Sequence, residues 1–135
     1  MAEWIMYVQS YVFSKIVSEF SDELKTAYSI TTNNFSTVES SNEDAVFPFV
    51  YVHLLPATES GIELENDRIN GGIFTFQVEV YDNQSQPRVR EVMGEIVRIM
   101  KKMRFEINSM PELNKSDINS ATARFRRAIG SSDII

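Results

Sequence analysis

Ile73-Phe-Thr-Phe-Gln-Val-Glu-Val-Tyr81 is the stretch on which the fold turns. Phe74, Phe76, Val78 and Val80 alternate with Thr75, Gln77 and Glu79, the period of two that marks a β-strand with one packed face and one open face. Asp82-Asn-Gln-Ser85 follows as a turn. Ser85 or Gln86 then stands before Pro87, a residue suited to the first turn of a helix. That helix runs to about Arg104, with Val89, Val92, Met93, Ile96, Ile99, Met100 and Met103 on one face and Lys101, Lys102 and Arg104 complementing the dipole at its end.

Working outward, the segment from Glu3 to about Tyr28 is a second amphipathic helix. Ile5, Val8, Val12, Ile16, Phe20 and Leu24 recur at three- and four-residue steps, widened by Phe13 and Val17. Trp4, Tyr7 and Tyr11 add aromatic area that either packs under a neighbouring loop or touches another subunit. Phe35 to Glu39 reads as a short edge strand. Phe47 to Leu55 is a stronger strand, with Val50, Val52 and Leu54 on one face and Phe49, Tyr51 and His53 on the other. The polar, acidic segment 56–72 interrupts the sheet, and Gly71-Gly72 reads as a hinge or bulge. Beyond Phe105 the chain is expected to be irregular to Asp117. A last strand spans about Asn119 to Ala128, and a mobile tail occupies 130–135. The predicted fold is a single α+β domain over 1–135, in the order helix, strand, strand, strand, helix, strand. Two helices pack on one face of a mainly antiparallel four-stranded sheet.

The composition excludes several classes of function. A chain of 135 residues suits one compact domain, and without cysteine there is no disulfide, thiolate metal site or cysteine nucleophile. His53 is the single histidine, too few for metal or acid–base constellations built on imidazole. No hydrolase elbow, zinc-protease helix, phosphate loop or calcium loop occurs. Carboxylates pair only as sequence neighbours, Glu63 with Glu65 in the loop and Glu91 with Glu95 on a helix; those in the acidic loop read as solvated, and Asp82 as a turn residue. Catalytic, metal and cofactor-binding residues are therefore all expected to be absent. The start of the chain lacks the basic region of a secretory signal, and no apolar run reaches the ~20 residues of a membrane span. A soluble protein made in the cytoplasm is expected.

Charge is divided unevenly. Residues 1–83 carry 13 acids and 3 bases, whereas residues 84–135 carry 6 acids and 10 bases. Arg88, Arg90, Arg98, Lys101, Lys102, Arg104, Arg124, Arg126 and Arg127 are the one basic set that suggests nucleic acid. A pI of 4.8, with Thr75, Gln77 and Glu79 on the open strand face, argues against specific binding.

The order of elements resembles the tail terminator and tail-completion (head–tail joining) proteins of long-tailed bacteriophages. The resemblance covers nearly the whole chain. It rests on the opening helix, the strand pair Phe47–Leu55 and Ile73–Tyr81 with its long loop, and the transition Val78-Glu-Val-Tyr-Asp-Asn-Gln-Ser85 into helix 87–104. Met103-Arg-Phe105 and the strand Ala121-Thr-Ala-Arg-Phe-Arg-Arg127 complete it. Arg104 departs from the pattern, where a small residue such as glycine is expected. The resemblance implies a structural virion protein, assembled in the host cytoplasm, whose hexameric ring caps the tail tube and meets the head–tail connector or stopper. DNA passes through the ring without specific binding, and no enzyme, cofactor or membrane is involved. It makes Glu59, Glu63, Glu65, Asp67, Arg68, Arg124, Arg126 and Arg127 candidates for subunit and tube contacts. Thr75, Gln77 and Glu79 become candidates for the channel wall. Another connector or contractile-tail neck component, and a small ligand-binding α+β domain, are the alternatives.

Overall fold

Three helices and seven strands make up the computed structural model, which describes residues 4–37, 46–55, 64–65, 68–69, 71–115 and 119–130. The helices are α1 (Trp4–Glu19), α2 (Asp22–Tyr28) and α3 (Gln86–Lys102). The strands are β1 (Phe35–Ser36), β2 (Phe49–Leu54), β3 (Leu64–Glu65), β4 (Arg68–Ile69), β5 (Gly71–Asp82), β6 (Glu106–Lys115) and β7 (Asn119–Gly130). One mixed sheet has the spatial order β1-β2-β5-β7-β6. Its β1–β2 pair is parallel and the remaining pairs are antiparallel. β3 and β4 form a separate hairpin, Leu64 opposite Ile69 and Glu65 opposite Arg68. The α+β class is the expected one, but the sheet has five strands rather than four.

β5 sits at the centre, and its alternation is the one read from sequence: Phe74, Phe76, Val78 and Val80 are buried, and Thr75, Gln77 and Glu79 are half-exposed on the other side. Ser85, in extended conformation, is the residue that caps α3, its Oγ accepting from the Arg88 N–H at 3.4 Å. α3 then buries Val89, Val92, Met93, Ile96, Ile99 and Met100 against β5 and β7, where Ala121, Ala123, Phe125 and Ile129 complete the wall. α1 lies beside α3 and inserts Val8, Val12 and Ile16 into the same core. Burying each of these aliphatic or aromatic side chains contributes roughly 1.5–3 kcal/mol before chain entropy is set against it.

The opening helix is broken rather than continuous. Ser21 leaves the helical region (φ −56°, ψ 127°), and Asp22 and Glu23 start α2, where acids complement the new N-terminal dipole. The break frees Phe20 to pack edge-on against Phe35, with ring centroids 5.4 Å apart. A turn at 32–34 follows, in which Asn34 is buried and its Nδ2 donates to the Pro48 carbonyl at 2.7 Å, tying the helical half to the start of β2. Of the early aromatics, Tyr7 is 61% exposed, so no neighbouring loop among the described residues covers it.

β6 is the largest departure from expectation, since 106–115 is strand rather than irregular chain. Register shifts between Ile107 and Ser109 and between Ser109 and Glu112 destroy the period-two signal. Pro111 is tolerated because β6 is an edge strand, with one side free of a ladder. Gly71 and Gly72 are not a hinge: they begin β5, paired with Gly130 and Ile129. β1 ends at Ser36, and Glu39 lies outside the described residues, as does the tail 131–135, whereas Gly130 belongs to β7.

At the end of α3, Arg104 N–H donates to Lys101 O (2.9 Å) and Phe105 N–H to Met100 O (3.0 Å), the paired bonds of a Schellman motif. Arg104 stands at the position of that motif that glycine usually fills, with φ 67°. The departure noticed in sequence is thus a residue held in the left-handed region. The motif delivers Phe105 into the core, edge-on to Phe76 at 5.6 Å.

Candidate functional site

Helices cover one face of the sheet and leave the other to a polar row. β2 contributes Tyr51 and His53, β5 contributes Thr75, Gln77, Glu79 and Tyr81, and β7 contributes Thr122, Arg124 and Arg126. These side chains bond to one another across the strands. Arg124 Nε donates to Gln77 Oε1 (2.9 Å), Gln77 Nε2 donates to Glu79 Oε2 (3.1 Å), and the Tyr81 hydroxyl donates to Glu79 Oε1. Tyr51 and His53 stack with centroids 5.5 Å apart, the Tyr51 hydroxyl 3.2 Å from His53 Nδ1. Thr75, Gln77 and Glu79, the candidate channel residues, all lie on this open face.

The candidate contact residues do not form one surface. Arg124 and Arg126 are exposed on the open face. Arg127 points the other way: strand alternation turns it to the helix side, where Nη1 donates to Met103 O at 3.0 Å. Glu65 and Arg68 are opposite one another in the β3–β4 hairpin, and Glu59, Glu63 and Asp67 lie outside the described residues.

The basic set likewise divides. Arg88 is held by Asp82 (3.5 Å), by Gln84 Oε1 (2.6 Å) and by the face of the Tyr28 ring (4.8 Å). Arg98 makes a two-point bond to Glu95 (2.9 and 2.6 Å) and donates to Glu19 O, while Lys102 reaches the Glu19 carboxylate at 3.2 Å. The hydrogen bond from Arg98 is the main reason the Glu95 carboxyl lies below its ordinary value of 4.5, and that from Lys102 does the same for Glu19. The sequence-adjacent acids Glu91 and Glu95 take different partners. Glu91 accepts from the Tyr28 hydroxyl (2.6 Å), which raises the ionisation of that phenol above 10.0. These contacts fasten α1 and α2 to α3 and use up much of the charge on that face.

Asp82 is fully buried, and its Oδ2 accepts from the Gln84 and Ser85 N–H groups at 3.1 and 2.9 Å. It serves the turn between β5 and α3, as its position suggested. No cluster of three metal-ligating side chains occurs among the described residues, and no described helix is long and apolar enough to cross a membrane.

One concave feature was not anticipated. A cleft of about 210 Å³ opens where β5, β7 and β6 meet the end of α3, lined by Ile73, Arg104, Glu106, Arg126, Arg127 and Ala128. Glu106 is opposite Arg126, which is in turn opposite Thr75. Arginines scattered through the sequence converge here only because β6 folds back on β7, and β6 carried no readable period. The cleft is smaller than the ~300 Å³ at which small-molecule pockets usually begin.

These features define a two-layer α+β domain with one open, polar sheet face among the described residues. No family model matches the chain, and a search of curated proteins finds no match.

Proposed function

We propose that this chain is a tail terminator of a long-tailed bacteriophage: a structural virion protein whose hexameric ring caps the tail tube and joins it to the head connector. The observation that carries the reading is the open sheet face, half-exposed and cross-bonded through Tyr81, Glu79, Gln77 and Arg124. A ring subunit needs one surface for the lumen and others for its neighbours, and an open polar sheet face supplies such a surface. In this reading Thr75, Gln77 and Glu79 face the channel, where the Glu79 carboxylate keeps DNA sliding rather than bound. Glu65 and Arg68 of the β3–β4 pair, with Glu59, Glu63 and Asp67 near them in sequence, meet a neighbour or the tube. The chain has no catalytic role and takes no cofactor. It is made in the host cytoplasm and ends in the virion neck. Imaging particles from a phage lacking the protein tests this: tails of irregular length that fail to join heads are expected, and normal-length, head-joined tails would overturn it.

A further inference from the structure

We propose that the bare flank of α3, which carries Arg90, Gly94, Val97 and Lys101, receives the outer face of α2 from a second copy of the chain. This contact rests on the ring reading and specifies how neighbouring subunits meet.

α3 has a flank on either side of its buried stripe. Glu91, Glu95, Arg98 and Lys102 recur at four- and three-residue steps on one of them, and all four are bonded. Glu91 accepts from Tyr28 of α2, Glu95 pairs with Arg98, and Arg98 and Lys102 both reach Glu19 of α1. Arg90, Gly94, Val97 and Lys101 repeat the same steps on the other flank. Arg90 and Lys101 are exposed, and neither side chain has a hydrogen bond or ion pair among the described residues. A Cβ added at Gly94 would meet no described atom within 4 Å, so the subunit's own packing does not require glycine there. Glycine is disfavoured in an exposed helix interior, and its use is to let another backbone come close.

The two flanks face opposite sides of the subunit. α1 and α2 belong to the β1–β2 half of the sheet: Phe20, between them, packs on Phe35 of β1, and Asn34 bonds to Pro48 at the entry to β2. α3 lies over β5, β7 and β6, so its bare flank looks toward the β6 edge. On the far side, α2 turns Leu24 to the core and Tyr28 to α3, which leaves Asp22, Glu23, Thr26 and Ala27 pointing away from both. Its one base, Lys25, is drawn back to Val17 O at 3.1 Å, and neither acid has a side-chain partner among the described residues. One side of the subunit thus offers two free acids with two small residues, and the other offers two free cations with a glycine. Complementary surfaces on different sides of one subunit make a heterologous contact, the kind that closes into a ring. Thr26 and Ala27 against Gly94 permit helix axes about 8 Å apart. Each exposed ion pair is weak in water, but contacts repeated around a closed ring reinforce one another.

Arg90→Glu with Lys101→Glu in the full chain tests the contact. Far-UV circular dichroism and the urea midpoint should show the subunit folded as the parent is. Sedimentation velocity, at a concentration where the parent forms its ring or with isolated tail tubes present, should show association weakened about tenfold. A chain with Asp22→Lys and Glu23→Lys should fail in the same way, and mixing the two reversed chains should restore a ring in which they alternate. Gly94→Gln should raise the urea midpoint yet weaken association, which a purely structural glycine would not do. Should a reversed chain lose its fold, Gly94→Gln carries the test alone. A ring indifferent to the charge reversal or to Gly94→Gln overturns the contact and leaves the ring reading intact, as does a mixture of reversed chains that stays dispersed. Loss of tube docking with the ring preserved assigns the flank to the tube and overturns it too. Failure of the parent to self-associate even on tail tubes removes the ring reading and the contact together.

Discussion

Replacing Asp82 tests the joint between the central strand and α3. Its Oδ2 accepts from the N–H groups of Ser85 at 2.9 Å and Gln84 at 3.1 Å, and Arg88 Nη2 lies 3.5 Å from Oδ1. Hydrogen bonds to a charged acceptor contribute about 1.5 kcal/mol each, so Asp82→Ala should cost about 3 kcal/mol. Asp82→Asn keeps an oxygen for both N–H groups and loses only the attraction to Arg88. That ion pair is long, and Arg88 is also held by Gln84 and the Tyr28 ring, so about 1 kcal/mol is expected. At roughly 2.1 cal/mol/K of unfolding entropy per residue, these costs correspond to Tm losses of about 11 °C and about 4 °C. Urea unfolding followed by far-UV circular dichroism, with m checked for constancy, reads both variants. Asparagine as damaging as alanine would refute the reasoning, because the buried charge, and not the turn, would then account for most of the loss. Two variants both within about 0.5 kcal/mol of the parent would refute it from the other side.

Arg104→Gly should stabilise the protein by up to about 1 kcal/mol, because glycine removes the left-handed strain at φ 67°; Arg104→Ala, which keeps the Cβ, should show no such gain in the urea midpoint. Replacing 57–70 by a short Gly/Ser linker should leave thermal unfolding nearly unchanged and abolish docking onto tail tubes in a sedimentation assay. A direct join is not an option, since Leu55 lies opposite Thr75 and the gap back to Gly71 is about 13–15 Å of extended strand. A linker variant that fails to fold would show that the segment is part of the core. Glu95, held below 4.5 by Arg98, adds stability that is present above pH 4.5 and lost as pH falls through its lower folded value. Glu95→Gln should therefore flatten the acid side of the stability–pH curve, and an unchanged curve would mean the pair contributes nothing.

Where a segment has a single packed face, its periodicity carried its structure. β5 and α3 follow Phe74 to Val80 and Val89 to Met103 because a period of two or of about three and a half admits one orientation toward a core. β6 escaped because two register shifts and Pro111 leave no period to read. With it went the Glu106–Arg126 pairing and the cleft. The same gap hid how the basic residues divide. Arg88 and Arg98 pair with acids close by in sequence, Asp82 and Glu95, whereas Lys102 pairs with Glu19 from far along the chain, and Arg127 turns inward one position after Arg126 turns out. Of the candidate site, Thr75, Gln77 and Glu79 were legible as an open face from alternation alone; Tyr51, Tyr81 and Arg124, which bond with or beside them, required the strand order.

By itself, then, the sequence determined the α+β class, the central strand and its two faces, the helix that follows, and the uneven division of charge between the two parts of the chain. Each is a local pattern whose solvent preference is satisfied in only one way. Only the tertiary structure decided the fifth strand, the break at Ser21, and the convergence of Arg104, Arg126 and Arg127 on one cleft. Those depend on which segments lie side by side, and pairing between strands distant in sequence is chosen by the whole core rather than by any one stretch.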